Sequence, residues 1–248
     1  MKKAVLLIVT VAAVISLSAC AGRGNEKLSD VTDNIAGTEP IENVADRSDT
    51  ETVNNADEEE HSRILIAYFT WAENTYVENP EAVDVDATTS ASVLPPGNAA
   101  KMAGWIQEEI GGNLFSIVVT EPYSSDYDEC LDRAADEKAD HARPELLHHV
   151  ENMEDYDIVF LGYPNWWASI PMPIASFLEE YDLSGKTIVP FCSHGGGRFG
   201  QSLTAIAKLA PDSTIGEGLA ILYSGGSGMP SDVSAWLDKN NICQITSS

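Results

Sequence analysis

The sequence predicts an α/β domain built on a doubly wound, five-stranded parallel sheet with helices on both faces. Three observations predict it. Short continuous apolar runs recur along residues 63–248, as buried parallel strands do. Segments of helical period separate them, so strands and helices alternate. Glycine and proline stand where helices stop and start.

The elements follow in order. Ile64-Leu65-Ile66-Ala67-Tyr68-Phe69 is the first strand. Ala99, Met102, Ala103, Ile106 and Ile110 share one helical face, and Gly111-Gly112 ends that helix. Leu114 to Val119 reads as the second strand. Ser125 to His141 reads as a charged helix with a buried stripe of Tyr127, Cys130, Leu131 and Ala134. Asp157 to Gly162 is the third strand. Pro173 opens a helix marked by Ile174, Phe177, Leu178 and Tyr181. Thr187 to Cys192 is the fourth strand, and Leu203, Ile206 and Ala207 mark the next helix. A fifth strand falls between Thr214 and Leu222, and Val233, Trp236 and Leu237 mark the last helix.

The residues before this domain read differently. Lys2-Lys3 precede an apolar run from Ala4 to Leu17, which has the length of a signal peptide's hydrophobic region and is short for a membrane span. The run ends in Leu17-Ser18-Ala19-Cys20, which resembles the bacterial lipoprotein processing site. That resemblance implies a signal peptide over residues 1–20, lipidation at Cys20 and an extracytoplasmic chain anchored to the cell membrane. Residues 21–62 carry three basic residues against twelve acidic ones, with no aromatic residue, and end in Asp57-Glu58-Glu59-Glu60. Such a segment buries too little apolar surface to offset its ordering entropy, so it is read as a disordered acidic tether.

Charge narrows the partners. The 248 residues hold 14 Lys+Arg and 39 Asp+Glu, a net charge of −25. That leaves no basic footprint for nucleic acid and disfavours adsorption to anionic lipid, so membrane contact is expected through a lipid anchor only. A protein partner is expected to be basic. Four cysteines do not make a disulfide framework, and the histidines lack acidic or cysteine partners at metal spacing, so no metal site is assigned.

In doubly wound sheets ligands bind beyond the carboxyl ends of the strands, where strand order reverses. Three loops therefore matter. After the third strand stands Tyr163-Pro164-Asn165-Trp166-Trp167, and adjacent tryptophans in a loop suit a stacked planar ligand as well as core packing. After the fourth stands Ser193-His194-Gly195-Gly196-Gly197-Arg198, whose glycines let backbone N–H groups approach a ligand, or simply turn the chain. After the first stands Thr70-Trp71, and much later Gly97-Asn98-Ala99 opens the helix at an N-terminus suited to an anion. Together they suggest a flat heterocycle with a phosphate tail.

At these residues the chain resembles the flavodoxin-like family, most specifically from Asp155 through Pro164 and from Phe191 through Gly196. The resemblance implies the strand order 2-1-3-4-5 and bound FMN. Flavodoxins are themselves the standing example of FMN at this kind of switch point, so the placement comes from the resemblance. Carried over, Pro164, Asn165, Trp166 and Trp167 flank the isoalloxazine, Ser193, His194, Gly195 and Gly196 hold its other edge, and Thr70, Gly97 and Asn98 cradle the phosphate. The family joins the first strand directly to its helix through Ser/Thr-x-Thr-Gly-Asn-Thr. Here an insertion from about Ala72 to Pro95 interrupts that motif; Asn74-Thr75 looks like its end but no helix starts there, so Gly97-Asn98 is taken to resume it, with its last hydroxyl replaced by Ala99. Hydroxyls from Thr88 to Ser92 are candidates to replace it.

Three functions are consistent with this reading. The first is electron transfer by bound FMN outside the cytoplasmic membrane, with no side chain required as acid, base or nucleophile. The second is an NAD(P)H-dependent flavin or quinone reductase, for which Arg198 is the one cation in the three loops. The third is a non-redox binding module on a degenerate scaffold.

Overall fold

The computed structural model describes residues 63–83 and 93–240. The expected signal peptide, lipidated Cys20, tether and Thr88–Ser92 hydroxyls lie outside them.

Six strand segments, β1 (Ile64–Tyr68), β2 (Asn113–Ser116), β3 (Ile158–Pro164), β4 (Thr187–His194), β5 (Thr214–Ile215) and β6 (Leu219–Leu222), form one parallel sheet. Its order is β2-β1-β3-β4-β5, with β6 also on β4. Five α-helices accompany it: α1 (Asn98–Ile110), α2 (Tyr127–Ala139), α3 (Met172–Glu180), α4 (Ser202–Leu209) and α5 (Met229–Lys239). The predicted fold class and strand order are those observed.

Side-chain alternation along the strands feeds two cores. Ile64, Ile66, Phe160, Val189 and Phe191 point to one face, where Met102, Ala103 and Ile106 of α1 and Val233, Trp236 and Leu237 of α5 cover them. Leu65, Ala67, Val159, Leu161 and Ile188 point to the other, under Ile174 and Phe177 of α3 and Ile206 of α4. Both faces of the central strands are therefore apolar, which is why those strands read as continuous apolar runs. Gly162 is required inside this packing. A Cβ there would lie 2.2 Å from the Phe191 ring.

The fifth strand is broken, and Pro190 explains where. β5 and β6 occupy the same edge of β4, the first pairing Thr187–Ile188 and the second Phe191–His194. Ile188 O accepts from Gly216 N at 2.8 Å and His194 O from Tyr223 N at 2.9 Å, so even-numbered residues of β4 face this edge. Pro190 faces it too and has no N–H to give. The ladder lapses opposite it, at Gly216–Gly218.

Two other expectations are corrected. The second strand was expected to run from Leu114 to Val119, but its ladder to β1 ends at Ser116. Beyond it β1 has ended, and the Asn74 side chain takes over. Its Nδ2 donates to Ile117 O at 3.1 Å and its Oδ1 accepts from Val119 N at 2.8 Å. In α4 the expected stripe of Leu203, Ile206 and Ala207 is out of phase. Ser202 and Ile206 are buried, whereas Leu203 and Ala207 are exposed. A short helix with apolar residues on most of its surface does not set its own phase; the packing against α3 and the sheet does.

Helix ends follow the local chemistry. Gly97 is the N-cap of α1, and Gly111, at φ 73°, closes it in the left-handed region. Asp126 caps α2 by accepting the Glu129 N–H at 3.0 Å. That cap starts α2 two residues later than expected, at Tyr127.

Candidate functional site

Beyond the carboxyl ends of β3 and β4 lies a cavity of about 260 Å³. Pro164 lines it from the end of β3 and Asn165, Trp166 and Trp167 from the loop that follows, and Ser193 and His194 from the end of β4 with Gly195 just after. The structure thus brings together seven of the eleven expected binding residues. Gly196 lies just beyond them, at φ 129°, with open space where a Cβ would stand.

Trp166 is fixed by an aromatic corner. Its ring meets Phe69 edge-to-face at 5.4 Å and Tyr123 at 5.3 Å between centroids. Arg133 lies 4.0 Å over the other ring of that corner, Tyr123, whose hydroxyl donates to Glu137 at 2.7 Å. Burial and that carboxylate hold the Tyr123 hydroxyl far above its ordinary pKa, so it stays protonated.

Trp167 is held differently. Trp166 and Ser169 exchange two backbone hydrogen bonds, at 3.1 and 2.9 Å, around a tight turn. Its two central residues, Trp167 and Ala168, both have positive φ, 50° and 57°. This is the primed turn that normally takes Asn-Gly. Neither central residue is glycine, so the turn costs about 1–2 kcal/mol at each position. The cost is offset by docking: the Trp167 indole N–H donates to Leu131 O at 3.0 Å, and Lys138 donates to Trp167 O. The strain keeps a 47% exposed tryptophan at the cavity rim.

His194 is set for the neutral form. Its Nδ1 accepts the Gly196 N–H at 2.9 Å, which leaves the proton on Nε2. Burial and Arg198 lower its pKa, against a smaller opposing backbone contact from Ala220. Cys192 and Cys130 are buried thiols, pushed up to about 12 chiefly by desolvation. They are unreactive at neutral pH.

The remaining three expected residues meet at the start of α1. Thr70 follows β1 and is buried against Gly97; a Cβ on Gly97 would lie 1.8 Å from Thr70 Oγ1. The chain between them is an excursion that leaves β1 and returns to the same point. Asn74, the other candidate for the end of the motif, knits that excursion to the chain after β2 and lies away from any α-helix start. Asn98 donates through Nδ2 to Tyr223 O at 3.2 Å, and Tyr223 N donates to His194 O at 2.9 Å. One hydrogen-bond chain therefore ties the helix start to the end of β4. The first intrahelical bond of α1 runs from Lys101 N to Gly97 O, so the N–H groups of residues 98–100 have no acceptor within the helix. With the helix dipole they suit an anion. Trp71, the residue after Thr70 in the chain, lines the aromatic cavity.

Four lining residues went unassigned in the sequence: Tyr127, Cys130, Leu131 and Ala134 of α2. They are the same stripe read there as core. The signal was present, but an apolar stripe does not say whether it meets a sheet or a ligand. Trp71 was also left out. Among the described residues no cluster of His, Cys, Asp and Glu could hold a metal.

The fold and this site define a class: a doubly wound protein with an aromatic cavity at the switch point and an anion corner at the first helix. A family model described as Flavodoxin matches residues 87–240, and the chain belongs to the flavodoxin family. A proposed flavoprotein from Bacteroides eggerthii is 31% identical, covering 72% of this chain and 97% of its own, with a TM-score of 0.51. Another from Bacteroides uniformis is 23% identical over 72% and 99%, with a TM-score of 0.56. A flavoprotein from Lactobacillus acidophilus, solved in complex with FMN, is 20% identical over 65% and 94%, with a TM-score of 0.49. No curated protein matches the chain.

Two outcomes are expected at this site. Ala168→Gly relieves one left-handed residue and raises stability by about 1 kcal/mol in denaturant titration; a loss of stability would show that the turn carries no strain. The His194 imidazole titrates below its ordinary 6.5 in NMR. Because its folded pKa is depressed, the stability it contributes is present above pH 6.5. That stability is lost as pH falls from there through the folded value. His194→Asn removes that part of the acid loss, and a folded-state value at or above 6.5 would refute the assignment.

Proposed function

We propose that this protein binds FMN non-covalently and serves as an electron-transfer protein outside the cytoplasmic membrane, anchored through a lipidated Cys20. The observation that carries the reading is the aromatic cavity at the carboxyl ends of β3 and β4, lined also by Trp71, whose chain neighbour Thr70 packs against the anion-suited start of α1. When bound, FMN supplies the one- and two-electron chemistry. The protein's own residues bind and orient. Trp166 and Trp167 offer ring faces or edges to a flat heterocycle, with Tyr127 and Leu131 of α2 in the same lining. His194, neutral and fixed by the Gly196 N–H, presents no cation to the ring edge, and with the Gly196 N–H spent on the imidazole the backbone N–H of Gly195 is the one in the lining to offer.

The phosphate is the demanding part. Residues 63–248 carry nine basic and twenty-seven acidic residues, and none of the nine lies between Thr70 and Ala99. Backbone N–H groups at α1 and the Thr70 hydroxyl hold it without a salt bridge. This predicts that FMN binds far more tightly than riboflavin in a fluorescence titration of the cofactor-free protein, with quenching on binding. Trp167→Ala, which leaves the aromatic corner intact, weakens FMN by about 2 kcal/mol, roughly 30-fold. Equal affinities for FMN and riboflavin would overturn the phosphate assignment, and no binding of either would overturn the function.

The anchor has its own test. Cys20→Ala is expected to release the protein from the membrane fraction or to block processing. Unchanged fractionation and mobility would overturn it.

A further inference from the structure

A second cavity, of about 600 Å³, is lined by the other end of the Trp166–Ser169 turn. Its floor is apolar: Ile170, Met172 and Ala175, all buried. Its rim is cationic, with Lys138 of α2, Arg143 of the following loop and Lys208 of α4, and His141 beside them. No carboxylate lines it. Three of the nine Lys and Arg residues in a strongly acidic domain therefore surround one apolar hollow.

Their charges differ in availability. Arg143 is neutralised by a two-pronged pair with Glu179, at 2.6 and 2.7 Å. Lys138 donates to the carbonyl of Trp167, which leaves its charge uncompensated. Lys208 forms no ion pair among the described residues. Two net positive charges thus face an apolar floor, where an anion gains Coulomb energy and an apolar body is removed from water. Carboxylates outnumber cations threefold over the domain, so away from the start of α1 an anion is drawn to this cavity.

We propose that this cavity binds a small amphiphilic anion: an apolar, ring-sized body seated on Ile170, Met172 and Ala175, with a carboxylate or sulfonate facing Lys138 and Lys208. The site neighbours the aromatic cavity, since Lys138 holds the carbonyl of Trp167, the residue at that cavity's rim. It does not depend on flavin binding for its own chemistry.

The probe is 2-naphthalenesulfonate, with 2-naphthol as the control of similar body and no charge at neutral pH. Calorimetry on the chain, with and without added FMN, is expected to give saturable one-to-one binding of the sulfonate. The naphthol should bind at least tenfold more weakly, and the sulfonate should weaken as salt rises. Lys208→Glu, on an exposed helix face, should weaken the sulfonate at least tenfold and leave the naphthol unchanged. Thr204→Trp, which fills the mouth without changing charge, should weaken both. FMN titrations of both variants should match the parent, which separates failure here from failure of the flavin reading. Absence of sulfonate binding, or binding indifferent to both substitutions, overturns the proposal. So does displacement of the sulfonate by FMN, which would put the probe in the aromatic cavity. Capture of an acidic peptide in place of the sulfonate would overturn it in favour of a protein partner.

Discussion

The closure of Thr70 on Gly97 is the contact on which the site depends. A chain leaving β1 has to start α1 over the same strand end, because α1 covers β1 and β3 with Met102, Ala103 and Ile106. In this protein an excursion intervenes, and its two ends must still meet. They meet with no room to spare, since any side chain at residue 97 would collide with Thr70 Oγ1. Glycine at 97 is therefore a steric requirement; its φ of −65° would suit most residues. That contact puts the first turn of α1 beside Thr70, and Asn98 and Tyr223 tie it to the end of β4. The insertion changes what lies above the site while the strand-to-helix geometry beneath it is kept.

Strain is concentrated in one turn, the one place among the described residues where two successive non-glycine residues have positive φ. Trp167 and Ala168 occupy left-handed backbone positions that glycine or asparagine would fill without penalty. A looser turn would let Trp167 fall away from the rim, since about half of its surface is already in water. The indole bond to Leu131 and the Lys138 bond to the carbonyl hold it against α2. The same turn divides the aromatic cavity from the cationic one. A change in either could therefore reach the other through two residues.

How much was legible in the sequence follows from which interactions are local. The strands β1, β3 and β4 were legible because burial on both faces leaves a continuous apolar run. Helix α1 was legible because its stripe, its glycine cap and its closing glycine agree. The break in the fifth strand was not, although its cause is one residue. Pro190 removes a donor whose direction is known only once β4 is in register with both neighbours. The phase of α4 was hidden for a related reason, as Leu203, Ile206 and Ala207 are all apolar and only tertiary packing chooses among them.

The candidate site divides along the same line. Loops after β3 and β4 were legible because unusual residues, paired tryptophans and a glycine run, stand at positions where the topology puts ligands. The contribution of α2 was not. Its stripe of Tyr127, Cys130, Leu131 and Ala134 looks like any core-facing surface, and only two of the four, Cys130 and Ala134, are buried. The half-exposure of Tyr127 and Leu131 marks a face that meets a cavity, a property that no periodicity encodes. Length alone misleads at Asn74-Thr75, which reads as the end of the motif at the family's spacing. Asn74 instead spends both ends of its amide bridging Thr70 to the chain beyond β2, the work that a continued β1 would otherwise do. A buried asparagine with every partner supplied by backbone is a structural splice, and it is what lets the chain leave the sheet for its excursion and come back to Gly97.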